Sequence, residues 1–184
     1  MAQRFEIDPA HTEIGFSAKH MLFTTVRGKF RTFSGYVESA DGAPLGATGV
    51  VTIEAASIDT GVEQRDAHLR SGDFLLAEEH PEIVYKLEGV TPAGENVYTL
   101  TGELTIRGVT KPLELSATVE GRIDQDAWGN ERVAVNVSGE FNRKDFGVNW
   151  NQAMEAGGLL VSETVKVAVE VALVRKLAQE PALV

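Results

Sequence analysis

The chain has no cysteine among its 184 residues. That single absence excludes a disulfide scaffold, thiolate metal sites and a thiol nucleophile. Long apolar runs are missing too, so no integral membrane segment is expected. The opening stretch, MAQRFEIDPAHTEIGF, lacks the basic and then apolar regions of an export signal, and the expected compartment is the cytoplasm. Positive charge is scarce: 17 Lys and Arg stand against 27 Asp and Glu, for a formal charge of −10. Such a field repels polyanions, and nucleic acid is not an expected partner. With no low-complexity tract, 43% hydrophobic and 24% charged residues describe a chain that folds by itself. One domain over 1–176 is expected, with 177–184 as a C-terminal tail.

What the chain has in quantity is period-two alternation, the mark of a strand with one buried face. Ile14, Phe16 and Ala18 alternate with polar neighbours, as do Ile83, Tyr85 and Leu87, and Tyr98, Leu100, Leu104 and Ile106. Val133, Val135, Val137 and Phe141 form another row, and Val165 through Leu173 a further one. At least eight strands result. The turn signals between them, DGAP at 41–44, TPAGEN at 91–96, RGVTKP at 107–112 and WGNE at 128–131, make consecutive strands antiparallel neighbours. After Phe30 the apolar parity slips to Phe33 and Val37, which predicts a bulge or bend.

So many two-faced strands stack as a sandwich or close as a barrel, and closure removes the exposed edges. The fold class expected is all-β: an extended antiparallel lipocalin-like barrel of about eight strands with a short helix near one end. Small residues in the inward rows, Gly28, Ala55, Gly102, Ala117 and Gly139 among them, suggest unfilled interior volume able to hold one small ligand. The helix is SIDTGVEQRDAHLRSG, in which Thr60 and Glu63 match the capping-box spacing, Gly72 ends the element, and Asp66 and Arg70 are spaced to pair.

Motifs of catalysis are weak here. The four histidines, His11, His20, His68 and His80, lack zinc-ligand spacing, and no metal or cofactor is expected. Ser71 or Ser17 with His68 and Asp66 names a triad by composition only, since no nucleophile elbow is present. The DFG at 145–147 has no nucleotide loop to serve. Parity is more informative. Extending the row of Ile14, Phe16 and Ala18 reaches His20, and extending that of Val135, Val137 and Phe141 reaches Arg143. Each ends an apolar row with a cationic group, an arrangement suited to a polar head above an apolar tail. The competing reading leaves both residues solvated or paired beyond the strand ends.

Taken in order, DPAHTEIGFSAKHM (8–21), VRGKFRTFSG (26–35), RDAHLRSGDF (65–74), HPEIVYK (80–86), LTGELTIRGVTKPLEL (100–115), FNRKDFGVNW (141–150) and SETVKVAVEVALV (162–174) make the chain resemble the YceI-like family of polyisoprenoid-binding, lipocalin-like proteins. The resemblance implies an internal apolar channel for a long isoprenoid or similar lipid-like chain. It carries over His20, Arg65, His68, Arg143 and Asp145 as motif polar positions. The candidate ligand set is His20, Arg65, His68 and Arg143 with Phe16, Met21, Phe23, Phe30, Phe74, Tyr85, Phe141, Phe146 and Trp150; no catalytic residue is carried over.

The function so implied is non-enzymatic binding, transport or storage of a long-chain amphiphile. The alternatives are an enzyme acting on a lipid-like substrate in the same cavity, with His68 or His20 as acid and base, and an interaction module with a vestigial pocket. A homodimer is the expected answer to any edge the barrel leaves open.

Overall fold

The alternating rows become eleven strand segments in a computed structural model that describes residues 2–155 and 157–176. They are β1 (Gln3–Ile7), β2 (Glu13–His20), β3 (Thr24–Phe30), β4 (Phe33–Ser39), β5 (Thr48–Glu54), β6 (Ile58–Asp59), β7 (Glu82–Gly94), β8 (Val97–Ile106), β9 (Val109–Ile123), β10 (Asn130–Asn142) and β11 (Thr164–Lys176). The one α-helix among the described residues, α1, is Glu63–Arg70. Six segments are halves of longer strands. β1 and β2, β3 and β4, and β5 and β6 are each a single path broken once: β1 pairs with β4 and β2 with β3, while β4 pairs with β5 and β3 with β6. Counted this way, chain order and spatial order agree. Eight antiparallel strands follow one another round a closed barrel, and β11 returns to lie against both β1 and β2.

The three breaks lie side by side. A short 3-10 turn at Pro9–His11 interrupts the first path, Arg31 and Thr32 the second, and Ala55–Ser57 the third. Arg31 N donates to Ser57 O at 3.1 Å and Glu54 N to Thr32 O at 2.9 Å, so the second and third breaks satisfy one another's backbone groups. This is the bend that the parity slip after Phe30 predicts. Phe30 faces inward from an even position and Val37 from an odd one, because the chain turns a corner between them.

Two turns match their sequence signals in kind but not in length. Arg107 and Gly108, both at positive φ (51° and 74°), make a two-residue hairpin turn, so β9 already starts at Val109 inside the stretch read as a loop. β7 likewise runs on through Pro92 to Gly94. At WGNE the link is longer than a tight hairpin: Asn130 opens β10, and the Asp126 carboxylate holds the loop by accepting from Trp128 N and Asn130 N at 2.8 and 2.9 Å. The tail 177–184 lies outside the described residues.

The helix corrects its own signal. Its N-cap is Val62, with no side-chain cap. Thr60 instead meets Asp66, which is buried and accepts from Thr60 N at 2.9 Å and Thr60 Oγ1 at 2.5 Å. Arg70 pairs with Glu63 and not with Asp66, because Asp66 points into the protein.

The α1 end of the barrel holds a cluster of fully buried side chains. Phe74, Ala77, Ile106, Phe146 and Val148 are buried together there, with Phe146 only 2% exposed. Burying one such aromatic contributes roughly 3 kcal/mol. The inward glycines are not gaps. The Phe16 ring lies against Gly28, Leu115 against Gly139, and Tyr85 against Gly102, so large side chains fill the space that small ones leave.

Candidate ligand channel

Inside the ring of strands is a cavity of ≈ 380 Å³. Its wall is supplied by alternate residues of the barrel strands, among them Phe16, Leu100, Val135, Val137, Val167 and Val169. Each is one member of a period-two row, so the pattern that forms the sheet also makes its inner face apolar.

The candidate ligand residues divide. Phe16, Phe30, Phe74, Tyr85, Phe141 and Arg143 stand on the channel wall. His20, Met21, Phe23, Arg65, His68, Phe146 and Trp150 do not. Phe146 is packing, edge-on to Phe141 at 5.3 Å between ring centroids. His20 ends β2 and forms a bridge with Val161, while Met21 and Phe23 are exposed in the β2–β3 turn. His68 sits edge-on between Phe74 and Trp150, at 5.0 and 4.8 Å, and its Nε2 donates to Asp73 Oδ2 at 2.8 Å. Arg65 donates from Nε to Thr60 Oγ1 at 2.7 Å and from Nη2 to Thr60 O at 2.8 Å, which ties α1 to the strand before it. The charged cluster of RDAHLRSGDF is therefore largely occupied in holding its own segment.

Arg143 is 4% exposed and has no carboxylate within ion-pair distance among the described residues. β10 ends one residue earlier, and Arg143 opens a short 3-10 turn from which its guanidinium reaches four carbonyls: Ser162 from Nε at 2.8 Å, Val148 and Trp150 from Nη1 at 2.8 and 2.9 Å, and Val161 from Nη2 at 3.3 Å. Burial pushes its pKa down, opposed by the Glu163 carboxylate, and a guanidinium stays charged even so. This cation both fastens the 147–163 loop and borders the channel.

Tyr85 contributes a half-buried polar group, its hydroxyl donating to Leu113 O at 2.9 Å. Burial, with the carboxylates of Glu88 and Glu114, raises its pKa to about 12.

The end of the barrel opposite α1 is polar. Glu131 is 3% exposed and accepts from both Arg122 Nη2 and Arg175, the latter through Nε at 2.7 Å. Burial pushes the Glu131 carboxyl up, but the hydrogen bonds from Arg175 and Arg122 outweigh it and hold the pKa below the usual range. Sequence reading overlooks this triad although the signal is present: Glu131 continues the inward row of Val133 and Val135, and Arg175 that of Val171 and Leu173. The inward rows thus end in polar groups on both sides, at His20 and Arg143 toward α1 and at Glu131 and Arg175 away from it. Among the described residues, no three His, Asp or Glu side chains gather in a way that could hold a metal ion, and no helix is long and apolar enough to cross a membrane.

A closed eight-stranded antiparallel barrel with an apolar interior, polar at one end and covered by a helix at the other, defines a lipocalin-like container. The chain belongs to the YceI-like family, whose YceI-like domain model matches residues 5–173. It is 37% identical over 164 residues to UPF0312 protein SA2479 of Staphylococcus aureus, covering 88% of this chain and 92% of the relative. Among solved structures it resembles Burkholderia cenocepacia BcnA (TM-score 0.77, 22% identity, 90% of this chain and 98% of the other). It also resembles a polyisoprenoid binding domain from Saccharophagus degradans (TM-score 0.69, 14% identity, 94% and 98%). At these identities the structural likeness concerns the fold.

Proposed function

We propose that the barrel binds a long-chain isoprenoid or similar amphiphile in its channel and carries or stores it without chemical change. The observation that supports this most is the cavity itself. It is enclosed by strands on every side and walled by the inward rows, so transfer of an apolar chain from water supplies most of the affinity. The Saccharophagus relative in fold is a polyisoprenoid binding domain, which agrees in ligand class. Apart from one charge, the polar groups on the wall are hydroxyls: Arg143 at the α1 end offers the charge, Thr12, Tyr36, Ser39 and Tyr98 bring hydroxyls, and that of Tyr85 is already engaged by Leu113. His20 and His68 stand off the wall, which favours a binder over an acid–base enzyme.

Native mass spectrometry of freshly purified protein, with solvent extraction of what it releases, tests the reading. A stoichiometric long-chain amphiphile is expected. A bare protein that takes up neither an isoprenoid nor a fatty chain when offered both overturns it.

A further inference from the structure

The β2–β3 turn is built against its own conformational preference. His20 and Thr24 are the last pair of the hairpin, and between them Met21 and Leu22 both take left-handed backbone, at φ 51° and 69°. Bulky residues rarely adopt that region; Asn and Gly do so with far less strain. The side chains so placed are not buried in return. Met21 and Leu22 are about half exposed, and Phe23 is 84% exposed. Three consecutive large apolar side chains at a strained turn ask for a reason that packing within the fold does not supply.

The hairpin also projects. Ser17, opposite Lys166, is the last β2 residue paired with β11; beyond it only the 160–162 segment accompanies the strand, through Ser162 N to Lys19 O and Met21 N to Leu160 O. That neighbouring loop adds to the apolar surface. Leu159 is 42% exposed, and Leu22 reaches to Gly158, where a Cβ would stand 3.2 Å from Leu22 Cδ2.

Behind the tip the charge changes sign. From Glu13 to Arg31 the hairpin carries Lys19, Arg27, Lys29 and Arg31 against one acid, Glu13, in a chain whose formal charge is −10. The ladder pairs Ser17 with Arg27 and Gly15 with Lys29, which puts Lys19, Arg27 and Lys29 on one outward face. Of the hairpin's cations only Arg31 enters an ion pair among the described residues, with Asp59. The acids near this face are Glu13, Glu140, Glu170 and Asp59, and Glu155 lies on the neighbouring loop.

We infer that this hairpin is a membrane-docking element: Met21, Leu22 and Phe23 enter the headgroup boundary of an anionic bilayer while Lys19, Arg27 and Lys29 meet its phosphates. An apolar tip backed by cations is the combination that holds a protein at such a surface, neither part sufficing alone. The chain's overall charge makes the local reversal the more telling, since a net anion approaches an anionic surface only through a basic face. Docking would bring the lipid phase next to the barrel end at which Val161, bridged to His20, borders the channel.

Co-sedimentation of the full chain with phosphatidylcholine vesicles, and with vesicles containing a third phosphatidylglycerol, tests the inference independently of any ligand in the channel. Binding is expected to the anionic vesicles, several-fold weaker to the neutral ones, and falling with added salt. Phe23→Ser is expected to lower it roughly tenfold or more, and Arg27→Gln about fivefold; both positions are exposed, and circular dichroism checks that the variants fold. Equal binding to both vesicle types, no binding to either, or binding indifferent to Phe23→Ser overturns it. So does light scattering that finds a dimer which Phe23→Ser makes monomeric, for the tip would then belong to a second copy of the chain.

Discussion

Tyr85 lies over Gly102, with its ring carbon Cζ 2.9 Å from where a Cβ at position 102 would stand, and the Lys86 carbonyl is nearer still. The glycine is there because the two strands and the ring leave room for nothing else. Gly102→Ala is therefore expected to destabilise the barrel by about 1–3 kcal/mol, since a backbone carbonyl yields less easily than a side chain. Denaturant unfolding checks it; an unchanged midpoint would mean the neighbouring strands shift freely.

Tyr85 also carries a pH signature. Its folded pKa, about 12, lies above the value near 10 of an unfolded tyrosine. The group thus contributes stability that is fully present below pH 10 and is lost as pH rises from there through 12. Absorbance titration is expected to find one tyrosine ionising late, and Tyr85→Phe to remove that component.

Glu131 works with the opposite sign. Its folded pKa is lowered, so its contribution is present above the unfolded carboxyl value, near 4.3, and is lost as pH falls through the folded one. Glu131→Gln leaves the guanidiniums of Arg122 and Arg175 without their carboxylate. The expected cost is about 2–3 kcal/mol, below that of a fully buried pair because Arg122 is 44% exposed. The variant should also lose part of the acid sensitivity of the wild type, measured as melting temperature between pH 6 and 3.

Arg143→Lys preserves the charge and loses the fork. One ammonium cannot reach four carbonyls as the guanidinium does, and the 147–163 loop is expected to loosen at a cost of about 2–4 kcal/mol. Limited proteolysis should then cut within that loop. A protein that resists proteolysis as the wild type does would assign Arg143 to the channel alone.

Val135→Trp places bulk on the channel wall from the middle of β10. It is expected to reduce uptake of an offered isoprenoid severalfold while the barrel still folds, with mass spectrometry reading the bound fraction. Unchanged uptake would count against occupation of the channel.

The strands and their closure were legible because alternation repeats over long segments, and a one-residue slip would turn every apolar row outward. The bend after Phe30 was legible for the same reason. The helix start is not legible in the sequence, because Thr60 and Glu63 fit a local pattern that Asp66, drawn inward by Thr60, overrides. The site was half legible. Phe16, Phe30, Tyr85 and Phe141 follow from parity, whereas the positions of His20 and His68 depend on how the α1-end loops settle, which alternation does not encode. Arg143 reached the wall by leaving the strand, through a turn that the row itself does not announce.

Three of the eight barrel paths are jointed at one level, whereas β7 to β11 are continuous strands with register shifts at Leu87–Gly89, Pro92–Gly94 and Ala134–Val135. The strands are accordingly continuous over most of the circumference, and the corners of the wall are confined to one flank. Any widening of such a hoop is expected at those corners, where the ladder is already interrupted, and not along the continuous strands.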